Sequence, residues 1–367
     1  MNAMTTTGFA ARFEQNPAAR PDAERDEILA DPGFGTYFTD HMFVADWTPA
    51  DGWHDARVVP YGPITLDPSA AVLHYAQEIF EGLKAYRHDD GAVYLFRPDQ
   101  NAARLQRSAR RLALPELPTE WFTGAIKALL QADGGWVPSG GEKSLYLRPF
   151  MYASESFLGV RPAQRVTFSV IASPAGAYFK GGVKPVSIWL SETYSRAGAG
   201  GTGAAKCGGN YAASLLPQQE GIAQGCDQVV FLDSTEQTYI EELGGMNLFF
   251  VRADGSIVTP ELSGSILEGI TRDSILTIAR DLGHDVVERR VSIDEWRDGV
   301  ADGSITEVFA CGTAAVVTPV GTLKWDGGEL TWGDGDAGKV TSDLRAALID
   351  VQHGRADDRH GWMTAVN

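Results

Sequence analysis

The sequence predicts a mixed α/β fold, with strands and helices interleaved in both halves, arranged in two domains. Three observations predict it. The chain has 367 residues, room for about two domains at roughly 100–200 residues each. Strand-like and helix-like segments alternate through both halves. Between the halves lies Phe179-Lys-Gly-Gly-Val-Lys-Pro185, a glycine- and proline-bearing stretch of the kind that links domains. The expected boundaries are a first domain over 1–178, a linker over 179–186 and a second domain over 187–367.

The opening residues, 1–31, read as a polar arm with one short helix. Asp90-Gly91 is a tight-turn dipeptide between the apolar runs 83–86 and 93–96, which predicts a β-hairpin. Leu105, Ala109 and Leu112 recur at helical spacing over 99–113, and Pro115 closes that helix. A second helix is expected over 119–132, capped by Thr119 and carrying Phe122, Ile126, Leu129 and Leu130 inward. Segments 145–152 and 166–172 read as strands. In the second half, 186–191, 228–233 and 246–251 read as strands, and Asp254-Gly255 turns the last of them back through 256–259. Helices are expected over 271–282 (Ile275, Ile278, Ala279, Leu282) and 338–353 (Val340, Leu344, Leu348, Val351), the latter stopped by Gly354.

Composition narrows the function. Hydrophobic residues make up 44% and charged residues 22%, enough apolar material to bury a core. Against 31 Lys+Arg stand 48 Asp+Glu, a formal net charge of −17, and a field of that sign repels nucleic acid and anionic membranes. A local arginine can still hold a small anion. The three cysteines, Cys207, Cys226 and Cys311, form no CxxC pair and no even framework, which suits a reducing cytoplasm and leaves no thiolate zinc site. The seven histidines are scattered without HExxH, so no metal is expected. Neither a signal-peptide core in 1–31 nor a run of about 18 apolar residues is present, so no membrane span is expected.

The chemistry gathers around glycines. Gly198-Ala-Gly-Gly-Thr-Gly203 fits GxGxxG, but Ala204-Ala-Lys206-Cys-Gly-Gly209 follows it, which is not the helix a dinucleotide site requires. What remains is a lysine, Lys206, between glycines. It is either a solvated amine on a flexible loop or an amine that a bulky partner approaches closely. A lysine nucleophile typically meets an aldehyde, and pyridoxal phosphate is the common one. That cofactor needs a Schiff-base lysine, a carboxylate at its pyridine nitrogen and a phosphate cup. Glu241 and Glu242 are candidates for the carboxylate, and their adjacency in a strand lets only one face the site. Gly269-Ile-Thr271 precedes a helix whose free N–H groups suit phosphate. Arg104 offers a charged fork, and Cys311-Gly-Thr313-Ala314 a turn with further N–H groups. Each also has an ordinary reading as strand end, helix cap, solvated face or turn, and taken singly the residues leave both open.

Taken together, the segments resemble the fold-type IV pyridoxal-phosphate aminotransferases, specifically the longer branched-chain amino acid aminotransferases. The resemblance runs from about Gly33 to Gly361-Trp-Met. Its most specific stretches are Phe34-Gly-Thr-Tyr-Phe-Thr-Asp-His-Met42, His74-Tyr75, Phe80-Glu-Gly-Leu-Lys-Ala-Tyr86, Tyr146-Leu-Arg-Pro149, Gly203-Ala-Ala-Lys-Cys-Gly-Gly-Asn-Tyr211, Glu242-Leu-Gly-Gly-Met-Asn247, Gly269-Ile-Thr-Arg272 and Gly312-Thr-Ala314. It implies two domains with the cofactor at their interface, the first smaller and the second larger and carrying the cofactor lysine. It implies that Lys206 bonds pyridoxal 5'-phosphate, that Tyr211 meets its phenolic oxygen and that Glu242 rather than Glu241 meets its ring nitrogen. Arg104 and the backbone of Ile270, Thr271 and Thr313 are implied to hold the phosphate. Phe34, Phe80, Tyr146, Arg148, Tyr178 and Ala314 are implied to line the substrate pocket, with Tyr75 and Val160 entering from a second subunit of a homodimer. The implied reaction is reversible amino transfer between leucine, isoleucine or valine and 2-oxoglutarate.

The chain departs from the family at two points. Mammalian members carry a CxxC pair just after the Thr-Ala step, where this chain has Ala315 and Thr318, so no disulfide switch can form there. Gly245 stands where some members have threonine. Two other fold-type IV activities, D-amino acid aminotransferase and aminodeoxychorismate lyase, would share Lys206 and Glu242. They resemble shorter chains without the Phe34 to Met42 stretch. A nucleotide-binding module at the Gly198 cluster would have no use for Glu242.

Overall fold

Alternating apolar residues build one large sheet in each half of the chain. The computed structural model describes residues 2–6, 9–176 and 183–366. The chain divides into two units, the first made of Met1–Tyr178, Ala205–Gly208 and Val351–Asn367, the second of Phe179–Ala204 and Gly209–Asp350.

In the first unit the strands are β1 (Asn2–Thr6), β2 (Phe9–Phe13), β3 (His41–Thr48), β4 (Gly52–Pro60), β5 (Glu78–Phe80), β6 (Leu83–Arg87), β7 (Val93–Phe96), β8 (Ser144–Ala153) and β9 (Val166–Ala175). They run in the order β1-β2-β4-β3-β9-β8-β6-β7, then the C-terminal strand Met363–Ala365, with β5 on β8. The β2–β4 pair is parallel and the others are antiparallel. The helices are α1 (Asp22–Ala30), α2 (Ala71–Tyr75), α3 (Pro98–Arg111) and α4 (Thr119–Asp133). Leu105 and Ala109 of α3 and Phe122, Ile126 and Leu129 of α4 join the sheet's core with Phe43, Leu147 and Phe168. Fully burying a leucine or phenylalanine contributes about 1.5–3 kcal/mol.

The second unit contains β10 (Val186–Ser191), β11 (Gln228–Leu232), β12 (Ile240–Leu243), β13 (Asn247–Arg252), β14 (Ile257–Thr259), β15 (Val286–Glu288), β16 (Ile305–Gly312), β17 (Val316–Trp325) and β18 (Gly328–Thr331). Their order is β12-β11-β10-β17-β16-β13-β14-β15, with β18 on β17. Parallel pairs (β10 with β11 and with β17, β14 with β15) and antiparallel ones mix in this sheet. The helices here are α5 (Gly208–Ala212), whose first residue belongs to the first unit, α6 (Leu215–Ala223), α7 (Ile270–Asp281), α8 (Ile293–Asp302) and α9 (Lys339–Gln352). The Ser292 hydroxyl caps α8 by accepting the Glu295 N–H at 3.0 Å. Trp296 of α8 then meets Phe250 edge-on in the core.

Several expectations are corrected. The polar arm is not merely an arm: β1 and β2 extend the first sheet, because Phe9 and Ala11 alternate inward and Phe9 packs on Trp121 of α4. Thr119 does not cap α4. It is the first helical residue, and Pro118 precedes it as a cap without a side-chain hydrogen bond. A helical turn, α5, does start within the glycine-flanked lysine segment, at Gly208. The first unit is the larger, and Lys206 belongs to it rather than to the second. The tail returns to pair with β7, and backbone hydrogen bonds draw 205–208 to β5 and α3. Among the described residues, no helix is long and apolar enough to cross a membrane.

Candidate active site

In the first unit, Lys206 is fixed through its backbone. Its carbonyl accepts the Phe80 N–H at 2.9 Å, and its own N–H donates to the Ser108 hydroxyl of α3 at 2.9 Å. The Gly208 N–H donates to the Glu78 carboxylate. A Cβ at Gly208 would sit 2.2 Å from that oxygen, so a larger residue there would displace the Glu78 carboxylate. The Lys206 ammonium lies 4.9 Å from the Phe80 ring centre. Burial raises the Glu78 pKa, against the lowering effects of the Gly208 N–H and Arg148.

Arg104 is buried in a forked pair with Glu81: Nε to Oε1 and Nη2 to Oε2, both 2.8 Å. Asn101 donates to the same carboxylate at 2.7 Å. Glu81 thereby fixes the plane of the guanidinium.

Tyr146 and Arg148 share one face of β8, two residues apart. Arg148 Nη2 donates to the Tyr146 hydroxyl at 3.1 Å, and its guanidinium covers the Phe80 ring at 4.6 Å. Phe34 meets Tyr146 edge-on at 5.3 Å. Lys206, Phe80, Arg148, Tyr146 and Phe34 therefore form one continuous series of contacts. Tyr75 ends α2, and its hydroxyl donates to the Leu158 carbonyl. That bond ties α2 to a loop where Phe157, Leu158 and Val160 are exposed. Tyr178 lies outside the described residues.

In the second unit, Glu241 and Glu242 are both buried and sit in a strand of their own, β12. Glu242 is ion-paired with Arg196 and accepts the Leu267 N–H at 2.8 Å. Arg196 also donates to the carbonyls of Gly203 and Ser265, at 3.0 and 2.6 Å. Glu241, its neighbour on the alternate face, accepts from the Ser265 hydroxyl and lines a separate cavity with Asp233, Tyr239 and Arg290. Burial raises its pKa, against the lowering effects of the Ser265 hydroxyl and Arg196.

Gly269 precedes α7 and caps it with no side chain, so Thr271, inside the helix, is not its cap, and a helix start of this kind suits a phosphate. A Cβ at Gly269 would come within 2.1 Å of Asn247 Oδ1. Asn247 is paired with Cys311 across β13 and β16. The start of α7 and the turn bearing Thr313 and Ala314 thus lie at the same end of β13. Val316, closing that turn, adopts φ +61°, an unusual conformation for a β-branched residue. Tyr211 stands on α5, beside Gly245: a Cβ there would lie at ordinary contact distance, 3.6 Å, from its ring.

Glu81, Asn101, Ser108, Glu78 and Arg196 were not among the expected site residues. The available signal was weak: Glu81 is an acid inside an apolar strand-like run, and Arg196 opens the glycine cluster. Their partners lie 23 and 46 positions away, beyond any local pattern.

Comparisons with known proteins identify the family. The family model described as amino-transferase class IV matches residues 78–323. A branched-chain-amino-acid aminotransferase of Mycolicibacterium smegmatis is 60% identical over 363 residues, 98% of this chain and 98% of that protein. A probable branched-chain-amino-acid aminotransferase of Streptomyces coelicolor is 61% identical over 96% of this chain and 98% of its own length. Among solved structures, the Escherichia coli branched-chain amino acid aminotransferase superposes with a TM-score of 0.71 at 29% identity, covering 89% of this chain and 99% of that one. A T.th. branched-chain amino acid aminotransferase with pyridoxamine 5'-phosphate does so with a TM-score of 0.74 at 34% identity, covering 88% and 98%.

Proposed function

The chain belongs to the class IV aminotransferases, and from that premise we infer that it transfers amino groups reversibly between leucine, isoleucine or valine and 2-oxoglutarate, with pyridoxal 5'-phosphate as cofactor. The near full-length identity to branched-chain aminotransferases carries this reading.

The donor set fits the cofactor: one lysine amine held in place by backbone bonds, a buried carboxylate paired to arginine, and a helix start with uncapped N–H groups. When bound, pyridoxal phosphate supplies an aldehyde that carries the amino group and a ring that accepts electron density. Lys206 would hold that aldehyde, and its free amine would take the proton from the α-carbon of the amino acid. Glu242, as a carboxylate beside Arg196, would keep a proton on the ring nitrogen. Tyr211 donates to the phenolic oxygen. Arg104, oriented by Glu81, and the N–H groups of Ile270, Thr271 and Thr313 hold the phosphate.

Phe34, Phe80, Tyr146, Tyr178 and Ala314 receive the apolar branched chain, and Arg148 neutralises the second carboxylate of glutamate. Tyr75 and Val160, both exposed, serve the pocket of a partner subunit in a homodimer. The unpaired state of the cysteines suits a cytoplasmic setting.

The test is direct. The holoenzyme with L-leucine and 2-oxoglutarate should form 4-methyl-2-oxopentanoate and L-glutamate in equal amounts. Turnover confined to D-amino acids, or pyruvate released from aminodeoxychorismate, would assign it to another branch of the family.

A further inference from the structure

The first unit contains a cavity of about 190 Å³ lined by Phe34, Phe38, Tyr146, Arg148, Ile171 and Ser173. Its floor is the β8–β9 pair, with Tyr146 opposite Ser173 and Arg148 opposite Ile171, so these four side chains share one face. Phe34, Phe38 and Ile171 give the lining apolar surface, and Tyr146, Arg148 and Ser173 bring polar atoms to it. Two buried polar atoms of the lining residues have no hydrogen-bond partner among the described residues: the Ser173 hydroxyl and Arg148 Nε. Ser173 is only 5% exposed. Leaving a buried polar group unsatisfied costs about 1–3 kcal/mol, so such groups in a cavity wall are open to a partner that enters the cavity, a water or a ligand. The Arg148 guanidinium is covered by Phe80 at 4.6 Å and lies 5.4 Å from the Tyr146 ring centre, which leaves its edge as the hydrogen-bonding outlet.

We propose that Ser173 is a specificity residue: its hydroxyl joins Arg148 in seating the distal carboxylate of the dicarboxylic substrate. The proposal rests on the aminotransferase reading above. One carboxylate oxygen accepts from the guanidinium and the other from the hydroxyl. A branched aliphatic chain in the same cavity lies against Phe34, Phe38 and Ile171 and uses neither donor. One cavity thus takes two unlike side chains by offering each different contacts.

The test uses the holoenzyme and two unreactive acids, glutarate for the dicarboxylic substrate and 4-methylvalerate for leucine. Their dissociation constants are read from the visible spectrum of the bound cofactor, without turnover. A hydrogen bond to a charged group is worth about 1.5–3 kcal/mol. Ser173→Ala should therefore weaken glutarate about tenfold or more and leave 4-methylvalerate within about twofold, while Ser173→Thr, which keeps the hydroxyl, should recover most of the loss. An unchanged melting temperature in Ser173→Ala would support a local effect. Equal weakening of both acids, or no weakening of either, would overturn the proposal. If the wild type bound neither acid, the aminotransferase reading itself would fall.

Discussion

Arg196 and Glu242 form an ion pair inside the second unit, with side chains only 4% and 2% exposed. Removing one partner of a buried pair strands the other charge and costs about 3–5 kcal/mol. Arg196→Met should lower the urea midpoint by a corresponding amount. Glu242→Gln should keep the fold better, since the amide oxygen still accepts from Arg196, yet lower kcat about 10²–10³-fold by losing the charge opposite the ring nitrogen. Glu241→Gln should turn over near the wild-type rate. A crippled Glu241→Gln beside a near-normal Glu242→Gln would place the functional carboxylate on the other face of β12.

Gly82 determines where Tyr146 can stand. A Cβ at this position would lie 2.2 Å from the Tyr146 hydroxyl and 3.0 Å from its ring carbon. Gly82→Ala must push the tyrosine off its place, and overpacking of this kind costs about 1–3 kcal/mol. The expected result is a raised KM for leucine and glutamate alike, with cofactor content unchanged. Steady-state kinetics beside a cofactor absorbance titration would check it.

His353 packs edge-on against Tyr86 at 5.0 Å, and burial, aided by Arg355, pushes its pKa down to about 4. Its ordinary value is 6.5. Between those values the unfolded chain binds more protons than the folded one, so stability falls as pH falls. The contribution is complete above pH 6.5 and is lost as the pH drops through about 4. Melting temperature against pH should fall less steeply across this window in His353→Gln than in the wild type. Parallel curves would show that the histidine does not titrate with folding.

Oxidants should not switch this enzyme reversibly. Cys311 is buried, and that burial pushes its thiol up to about 12, far from the thiolate that reacts. Ala315 and Thr318 offer no second sulfur. Peroxide should inactivate slowly, without recovery in dithiothreitol. Fast, fully reversible loss that disappears in Cys311→Ser would contradict this.

Local patterns located what local physics dictates. The 99–113 and 271–282 periodicities are α3 and α7 within a residue or two, and the Asp90-Gly91 hairpin is β6–β7. The alternation rule left only one of Glu241 and Glu242 for the site, and the structure gives the two carboxylates different partners. The parallel pairing of β2 with β4, and the attachment of 205–208 to β5 and α3, arise from contacts between residues far apart in the chain. So do the Glu81–Arg104 fork and the Arg196–Glu242 pair. No window of neighbouring residues encodes them. Ser173 was invisible for a further reason: a serine in an apolar strand is common, and only the absence of a partner distinguishes this one.

The account turns on Lys206 as the residue that bonds the cofactor, and covalent trapping tests it most directly. The purified holoenzyme is reduced with borohydride, digested and mapped by mass spectrometry. The account predicts a phosphopyridoxyl group on the peptide containing Lys206, with no label and no transamination in Lys206→Ala. Label on a different lysine of the wild type, or leucine turnover retained by Lys206→Ala, would contradict it.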